Sequence, residues 1–565
     1  MISTRRFGTL DPFFELHDWG FRMGRPVANA AFGRALLEFG SWDEYNFFLP
    51  NAAAVQAFKL HLETIFPKKN ALDRVVVSSY LDLYGSLSST EFDIFHHGDF
   101  TSLMPHLAGL RQCPGIKPFP ISGLTHSLDG TLMQTRFFQC IIGGLSSSDA
   151  IICTSRAAQE LVINKLHEVV SLLNEATNGN LKVPAVKTPI IPIGIDDQLF
   201  SDTLEPDERR KARNFFNIPH DSIVALSVGR LSRDTKTDWL PVLELLNRMK
   251  SNDQLNNFLL VIAGGGDAVE VKELQSQIDT LGLKETVFIF ANFPMDVKKN
   301  LYQMADFYLS LVDNYQETFG VNIIEAMAAG LPVIASDFDG YRDTVEDGKS
   351  GFLISTISSV ELPKFLDFGM HIFDTNLTRH YLSQMIAIDL EQLQVTIMLI
   401  CNNANLRKEM GDYARRKAER YRWKNIISDF EELWDDLAQA SRYQEKMPDT
   451  PTSTASSELL SGYGILSYVH YNSAILGEKT RLQITEVGYG LLKSDSNITR
   501  YNTLDSVLSE DLQRSILLHL SILPLQVSEL CSRTISKHKA IKGDIHFHLL
   551  WLMKHGAIKI SKNPS

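Results

Sequence analysis

The sequence predicts an α/β chain of two doubly wound domains followed by a small α+β module. Three observations predict it. Residues 1–194 alternate short apolar strand-length runs with helical segments, and a second series of the same kind opens at Ile223. A polar stretch rich in Pro, Ser and Thr, residues 447–459, then separates residues 460–565 from the rest. At 565 residues the chain is too long for one hydrophobic core, so several domains are required.

The bulk composition narrows the function classes. With 44% hydrophobic and 22% charged residues, the chain has the make-up of a soluble globular protein. A net charge of −12 argues against nucleic acid as a partner, because neutralising phosphates needs a basic excess. Cys113, Cys140, Cys153, Cys401 and Cys531 are scattered, without a CxxC pair or a metal-ligand spacing, which suits a reducing compartment. No apolar run reaches signal-peptide or membrane-spanning length. The expectation is a cytoplasmic protein, with peripheral contact to a membrane surface left open.

In the first half, Phe13–Leu16 is expected as the first strand. A glycine-containing loop with Gly20 and Gly24 follows and runs into an amphipathic helix. Further strands are expected at Tyr45–Leu49, Val75–Val77, Phe92–Phe95 and Phe119–Gly123. The fourth leads into His96-His97-Gly98 and the fifth into Leu124-Thr125-His126-Ser127. Ligands of open α/β sheets sit at the carboxyl ends of strands, so His126 is a site candidate, with a packed, hydrogen-bonded histidine as the alternative. His97 is the second choice for that role, with a structural reading preferred. Ser148–Ser155 supplies a strand and then Ser155 as the cap of a helix over Arg156–Leu172.

The second half begins with the strand Ile223–Val228, which ends in Gly229-Arg230, and Lys236 follows six residues later. Departure of a nucleotide diphosphate builds negative charge, and fixed cations aimed at those oxygens stabilise the transition state. An arginine fork and a lysine point charge are not redundant there; solvated surface cations are the bland alternative. Phe258–Ala263 and Gly264-Gly265-Gly266 form a strand and turn that lack the spacing of a dinucleotide fingerprint. Val287–Phe290, with Asn292-Phe293 beyond it, and Ala305–Leu311 complete the run of strands toward Glu317.

The most informative stretch is Glu317–Glu325, ETFGVNIIE, followed by AMAAGLPVIASDFDGYRDTVEDGKSGFLI. It reads as a loop entering a short helix, stopped by Gly330 with Pro332 beyond, then a strand over Leu331–Ser336. A helix N-terminus offers free N–H groups and positive potential to a diphosphate. Glu317 would then face the sugar of a nucleotide-sugar, and Glu325, pointing back along the helix, would accept from a ribose diol.

These residues, with Phe319-Gly320 between the glutamates and the Ala-Gly-Leu-Pro exit, resemble the donor-binding signature of GT-B glycosyltransferases, specifically glycosyltransferase family 4. The resemblance covers residues 10–440, and its motifs cluster between Pro192 and Gly351. It implies two Rossmann-like domains facing across a cleft, an acceptor-side domain at 1–194 and a nucleotide-sugar domain at 195–411. Residues 412–446 would be closing helices that return to the first domain, with Trp423 packed between. Ile190–Phe200 resembles the family's crossover, where Pro192, Gly194, Asp196 and Phe200 are architectural. The resemblance further implies retention of anomeric configuration without a metal. It places His126 over the transferred sugar, a glycine loop (Gly24 before Gly20) at the phosphates, and Arg230 and Lys236 as the phosphate clamp. The catalytic candidates are thus His126, Arg230, Lys236 and Glu317. Gly24, Gly229, Phe319, Gly320 and Glu325 are the donor-binding ones.

Two departures stand out. Where the family has Gly-Gly and a later glutamate, this chain has Asp337-Phe338-Asp339-Gly340-Tyr341-Arg342-Asp343, which puts the acceptor class in doubt. Tyr341 and Arg342 are read equally as ligand-contacting or as packing. Residues 355–389 are an insertion, with HIFDTNLTRHYLSQMIA expected to be helical. The last segment, with helices at Leu504–Leu520, Leu525–Thr534 and Lys542–His555 and a strand at Ala557–Ile560, resembles a winged-helix-type module suited to protein contact or self-association. His546, His548 and His555 there lack a metal spacing.

The expected activity is transfer of a sugar from a UDP- or GDP-sugar to an unidentified hydroxyl acceptor, be it glycan, lipid, small molecule or protein. No cofactor beyond the donor is expected. An epimerase-like enzyme on the same scaffold, or a non-catalytic binding protein, are the alternatives.

Overall fold

The structure, a computed structural model, describes residues 4–14, 24–67, 72–196, 206–444, 471–493, 498–538 and 541–561. Leu16, Gly20, Phe200 and the polar stretch 447–459 lie outside the described residues. Residues 1–460 form one compact unit and residues 461–565 another.

The first unit holds two six-stranded parallel sheets. The first sheet comprises β1 (Arg6–Thr9), β2 (Glu44–Leu49), β3 (Val75–Ser79), β4 (Ile94–His97), β5 (Ile121–Leu124) and β6 (Ala150–Ile152). They lie in the order β3-β2-β1-β4-β5-β6. The second comprises β7 (Ile223–Val228), β8 (Phe258–Gly264), β9 (Val287–Ala291), β10 (Phe307–Ser310), β11 (Val333–Ser336) and β12 (Gly351–Ile354). Its order, β12-β11-β10-β7-β8-β9, repeats the first topology. In such a sheet the strand order reverses once, here between β1 and β4 and again between β7 and β10. The crevice beyond the carboxyl ends at that reversal is where ligands bind. The inner strands are buried on both faces, as all seven residues of β8 are, because helices cover each side.

The first strand differs from expectation. It is Arg6–Thr9, and Phe13-Phe14 are not extended. Phe13 has a left-handed backbone (φ 59°), and its N–H donates to Asp11 Oδ1 at 2.8 Å. Its apolar character serves as a plug: the ring stacks on His96 and meets Phe32 and Phe47 edge-on.

The helix Trp423–Gln444 packs on the first sheet. Trp434 Nε1 donates to Ser122 Oγ on β5 at 2.9 Å, and Phe430 meets Phe32 at 5.1 Å. Where the chain crosses between halves, a side chain on Gly194 would collide with the Trp423 ring at 2.4 Å, so tight packing demands glycine.

The insertion is less helical than expected. Thr356–Ser358 and Ile386–Ile388 pair as an antiparallel hairpin, and only Lys364–Gly369 and Thr375–Ser383 are helical. The apolar Ile386-Ala387-Ile388 run is a pairing strand, which a helical reading of an apolar–polar mixture overlooks.

The second unit, taken by itself, is α+β. Helices Glu510–Ile522, Val527–His538 and Lys542–Lys554 pack beside a three-stranded antiparallel sheet of Arg481–Ile484, Leu525–Gln526 and Ile558–Ile560. The first helix starts later than expected, at the Ser509 cap. The central strand Arg481–Ile484 was not anticipated. His548 packs, accepting from Ser509 N–H at 2.9 Å through Nε2 and facing the Asp544 carbonyl at 2.7 Å through Nδ1.

Candidate active site

A cleft opens at the carboxyl ends of both sheets, and all nine candidate residues named from the sequence line it. Gly24 and His126 come from the first half. Gly229, Arg230, Lys236, Glu317, Phe319, Gly320 and Glu325 come from the second.

Two helix N-termini meet here. In the first half Gly24 is the cap of the helix Arg25–Phe39, with φ +77° and no side-chain capping bond. In the second, Gly320 caps Val321–Ala328 with φ +88°. A Cβ on Gly320 would also lie 2.3 Å from the Tyr341 ring, so both backbone and space demand glycine. The Glu317 carboxylate folds over this N-terminus. Its Oε1 accepts from the N–H groups of Gly320 at 2.9 Å and of Thr318 and Phe319 at 3.3 Å. The next two N–H groups, of Val321 and Asn322, are first-turn donors that the helix cannot satisfy, and both residues line the cleft.

Lys236 Nζ pairs with Glu317 Oε2 and lies 3.4 Å from the Tyr341 hydroxyl, which in turn sits 2.8 Å from Ser310 Oγ. Burial pushes the Glu317 carboxyl up, but the Lys236 ammonium and the backbone N–H groups outweigh it and hold it at about 2. Glu317 is therefore ionised throughout the physiological range. Tyr341 is a packing residue under the clamp, and Arg342 pairs with Asp337 at 2.8 Å on the surface.

Arg230 donates to the Thr235 carbonyl at 2.9 Å and makes no ion pair among the described residues. Its base is fixed by the end of β7. Tyr308 and Asn322 both donate to the Val228 carbonyl, at 2.9 and 2.7 Å. Arg230 is thus a half-buried cation without an ion-pair partner among the described residues, facing a cleft where Lys236 and Lys298 are already paired.

Glu325 is held from behind. Its Oε1 accepts from Lys298 Nζ at 2.6 Å and its Oε2 from the Tyr302 hydroxyl at 2.7 Å. Sequence reasoning missed both partners. The four-residue spacing that puts Lys298 and Tyr302 on one face of the helix Lys298–Met304 was the available signal.

His126 Nε2 faces the Gly98 carbonyl at 2.7 Å and Asn29 Oδ1 at 3.0 Å, so the ring proton sits on Nε2. Burial pulls its pKa down, against the pull of Asp99, and the ring is neutral. Arg25, also missed, lines the cleft and pairs with Asp99 at 2.5 Å. His97 is buried, its Nδ1 accepting from the Asp99 N–H at 3.3 Å, which makes it structural.

Residues 208–364 match the family described as glycosyl transferases group 1. The chain resembles glycosyltransferases of that group. Among curated proteins, an uncharacterized glycosyltransferase of Methanocaldococcus jannaschii is 27% identical over 279 residues, 48% of this chain and 64% of that one. A D-inositol 3-phosphate glycosyltransferase of Corynebacterium jeikeium is 26% identical over 298 residues, 52% of this chain and 60% of its own length. The chain spans less than two thirds of the length of either relative. Among solved structures, Anabaena Alr3699/HepE in complex with UDP aligns with a TM-score of 0.51 and 18% identity, covering 77% of this chain and all of that one. A glycosyltransferase of Rickettsia africae aligns at a TM-score of 0.50 with 14% identity, covering 78% of this chain and all of its own. These likenesses establish the fold, that of the GT-B glycosyltransferases. Among the described residues, no helix is long and apolar enough to cross a membrane.

Proposed function

We propose that the protein is a retaining glycosyltransferase that moves a sugar from a nucleotide diphosphate-sugar to a hydroxyl acceptor. The observation that carries the proposal is the half-buried Arg230, without an ion-pair partner among the described residues, set beside the N-terminus of Val321–Ala328, with Gly24 and Arg25 opening a second helix N-terminus across the cleft. Cations and free N–H groups converging from both sides suit a diphosphate. The UDP held by the Anabaena relative supports the same ligand class here.

In this reading the diphosphate rests on the N–H groups of Val321 and Asn322 and on Arg230. Lys236 orients Glu317 toward the sugar and adds positive charge as the diphosphate leaves. Glu325, preset by Lys298 and Tyr302, accepts from the ribose diol. His126, neutral and tied to Gly98, packs over the sugar and is not placed to take a proton through Nε2. Glu317 is already committed to a lysine and three N–H groups, which suits an orienting role better than that of a nucleophile. We therefore assign a front-face displacement. The bond from the anomeric carbon to the phosphate oxygen breaks, a bond to the acceptor oxygen forms on the same face, and the departing phosphate oxygen takes the acceptor proton.

The test is release of nucleotide diphosphate from a panel of UDP- and GDP-sugars, with and without candidate hydroxyl acceptors. Turnover with one donor, lowered by about 10²-fold or more in Glu317→Ala, is expected. A Glu317→Ala variant with full transfer would sink the assignment.

A further inference from the structure

The insertion at 355–389 contributes no residue to the lining of the cleft just described, yet it touches both halves of the molecule. Its hairpin roots it beside β12, and the helix Thr375–Ser383 stands between the hairpin strands, capped by Asp374, whose Oδ1 accepts from Leu377 N–H at 2.9 Å. From that helix Arg379 sends a fork to a residue 250 positions away. Nε donates to Asp129 Oδ2 at 2.5 Å and Nη2 to Asp129 Oδ1 at 3.0 Å. The two side chains are only 15% and 14% exposed, so the pair is shielded from water. Thr375 Oγ1 adds a second contact, 3.2 Å from Thr131 Oγ1. Further along, His380 Nδ1 lies 2.9 Å from Asp234 Oδ1, and Gln384 Nε2 donates to Asp238 Oδ2 at 3.0 Å.

These partners belong to the two loops that matter for the chemistry. Asp129 lies three residues beyond His126 on the loop after β5, and Asp234 and Asp238 flank Lys236 on the loop after β7. A single helix therefore grips the first-half loop that carries His126 and the second-half loop that carries Lys236. A shielded two-pronged pair is geometrically demanding, and loss of one partner strands the other's charge in a poorly solvated place.

We infer that the Arg379–Asp129 fork positions the His126 loop against the Arg230–Lys236 loop around the donor, making Arg379 and Asp129 positioning residues for the transfer. The inference rests on the proposed donor site. Neither residue touches the reacting atoms; they act by setting the distance between groups that do. The insertion is then a brace across the cleft supplied by the nucleotide-binding half.

The experiment uses the full chain with Arg379→Ala, Asp129→Ala, Arg379→Lys and the exchanged pair Arg379→Asp/Asp129→Arg. Donor turnover is measured with whichever UDP- or GDP-sugar the native protein uses, and amide hydrogen exchange is followed over residues 126–132. Each alanine variant is expected to lose about tenfold in kcat with little change in donor KM, since misplacement of groups away from the chemistry is felt in the transition state. Exchange over 126–132 should accelerate in both. The exchanged pair should return to within about threefold of the native rate, the coupling that a direct contact produces. Arg379→Lys keeps the charge without the fork and should fall between, which keeps the test valid if an alanine variant unfolds. Native kcat in the single variants, unchanged exchange at 126–132, or a folded exchanged pair as slow as the singles would each overturn the inference. If the native protein turns over no nucleotide-sugar, the donor-site reading fails by itself, and the exchange measurement still decides whether the fork holds the loop.

Discussion

The two helix N-termini at the cleft are built in different ways. In the first half, Gly24 caps its helix with a left-handed backbone and open space around it, and the nearby charge, Arg25, is bonded to Asp99. In the second half, Gly320 is wedged against Tyr341, and Glu317, Lys236, Tyr341 and Ser310 form one connected polar chain behind it. The first terminus is a simple backbone cradle. The second is a braced one, with its carboxylate and cation locked before any ligand arrives. Preorganised groups of the second kind stabilise developing charge without reorganising during reaction, so the braced half should carry most of the rate and the open half most of the adaptability.

Substituting the two caps should break the comparison most visibly. Gly320→Ala meets both an unfavourable φ and a 2.3 Å collision, whereas Gly24→Ala meets only the backbone penalty. Thermal or denaturant unfolding should show a loss of about 3 kcal/mol or more for Gly320→Ala and about 1 kcal/mol for Gly24→Ala. Equal losses would mean that the wedge against Tyr341 is unimportant.

The pH dependence sharpens it further, because two carboxyls of the braced half are pushed in opposite directions. Glu317 is depressed to about 2, so the stability it contributes is present above its ordinary value of 4.5 and is lost as pH falls through about 2. Asp339 is raised to about 8, chiefly by burial and then by the Glu317 charge, and its Oδ1 is buried without a hydrogen-bond partner. Its contribution is present below its ordinary value of 3.8 and is lost as pH rises through about 8. Asp339→Asn should therefore raise the unfolding midpoint at pH 9 and change it little at pH 4, and a uniform shift at both would contradict the assignment.

The smallest effect concerns the shell behind Glu325. Tyr302→Phe removes one hydrogen bond to that carboxylate and should weaken donor binding by about 1 kcal/mol, or roughly fivefold, with kcat nearly unchanged. A fall in kcat at constant KM would place Glu325 in the chemical step instead.

The same asymmetry explains what was legible in the sequence. The phosphate site proposed for the second half is built around backbone N–H groups at one helix start, so its residues fall close together in ETFGVNIIE and in the Gly229–Lys236 loop, and they could be named. Lys298 and Tyr302 lie on another helix; their four-residue spacing shows that they share a face, but that they meet Glu325 is decided only by folding. In the first half the site is assembled from segments far apart in sequence: Asn29, Gly98 and His126 are joined by hydrogen bonds across the sheet reversal. There the strand prediction also slipped. Arg6–Thr9 is short and carries Gly8, whose missing side chain makes room for the Phe95 ring, so it lacks the apolar signature that Phe13-Phe14 displays while plugging the core. The doubly wound architecture was legible because alternation of buried strands and helices is a repeated signal. The insertion's role was not, since Arg379 and Asp129 have no neighbouring pattern that links them.

The most direct test of the central claim is calorimetric titration of the full chain with UDP and with GDP, repeated on Arg230→Ala. The account predicts saturable binding of one of the two, weakened by about tenfold or more when this arginine is removed. Binding of neither nucleotide, or equal binding by the native protein and Arg230→Ala, would contradict it.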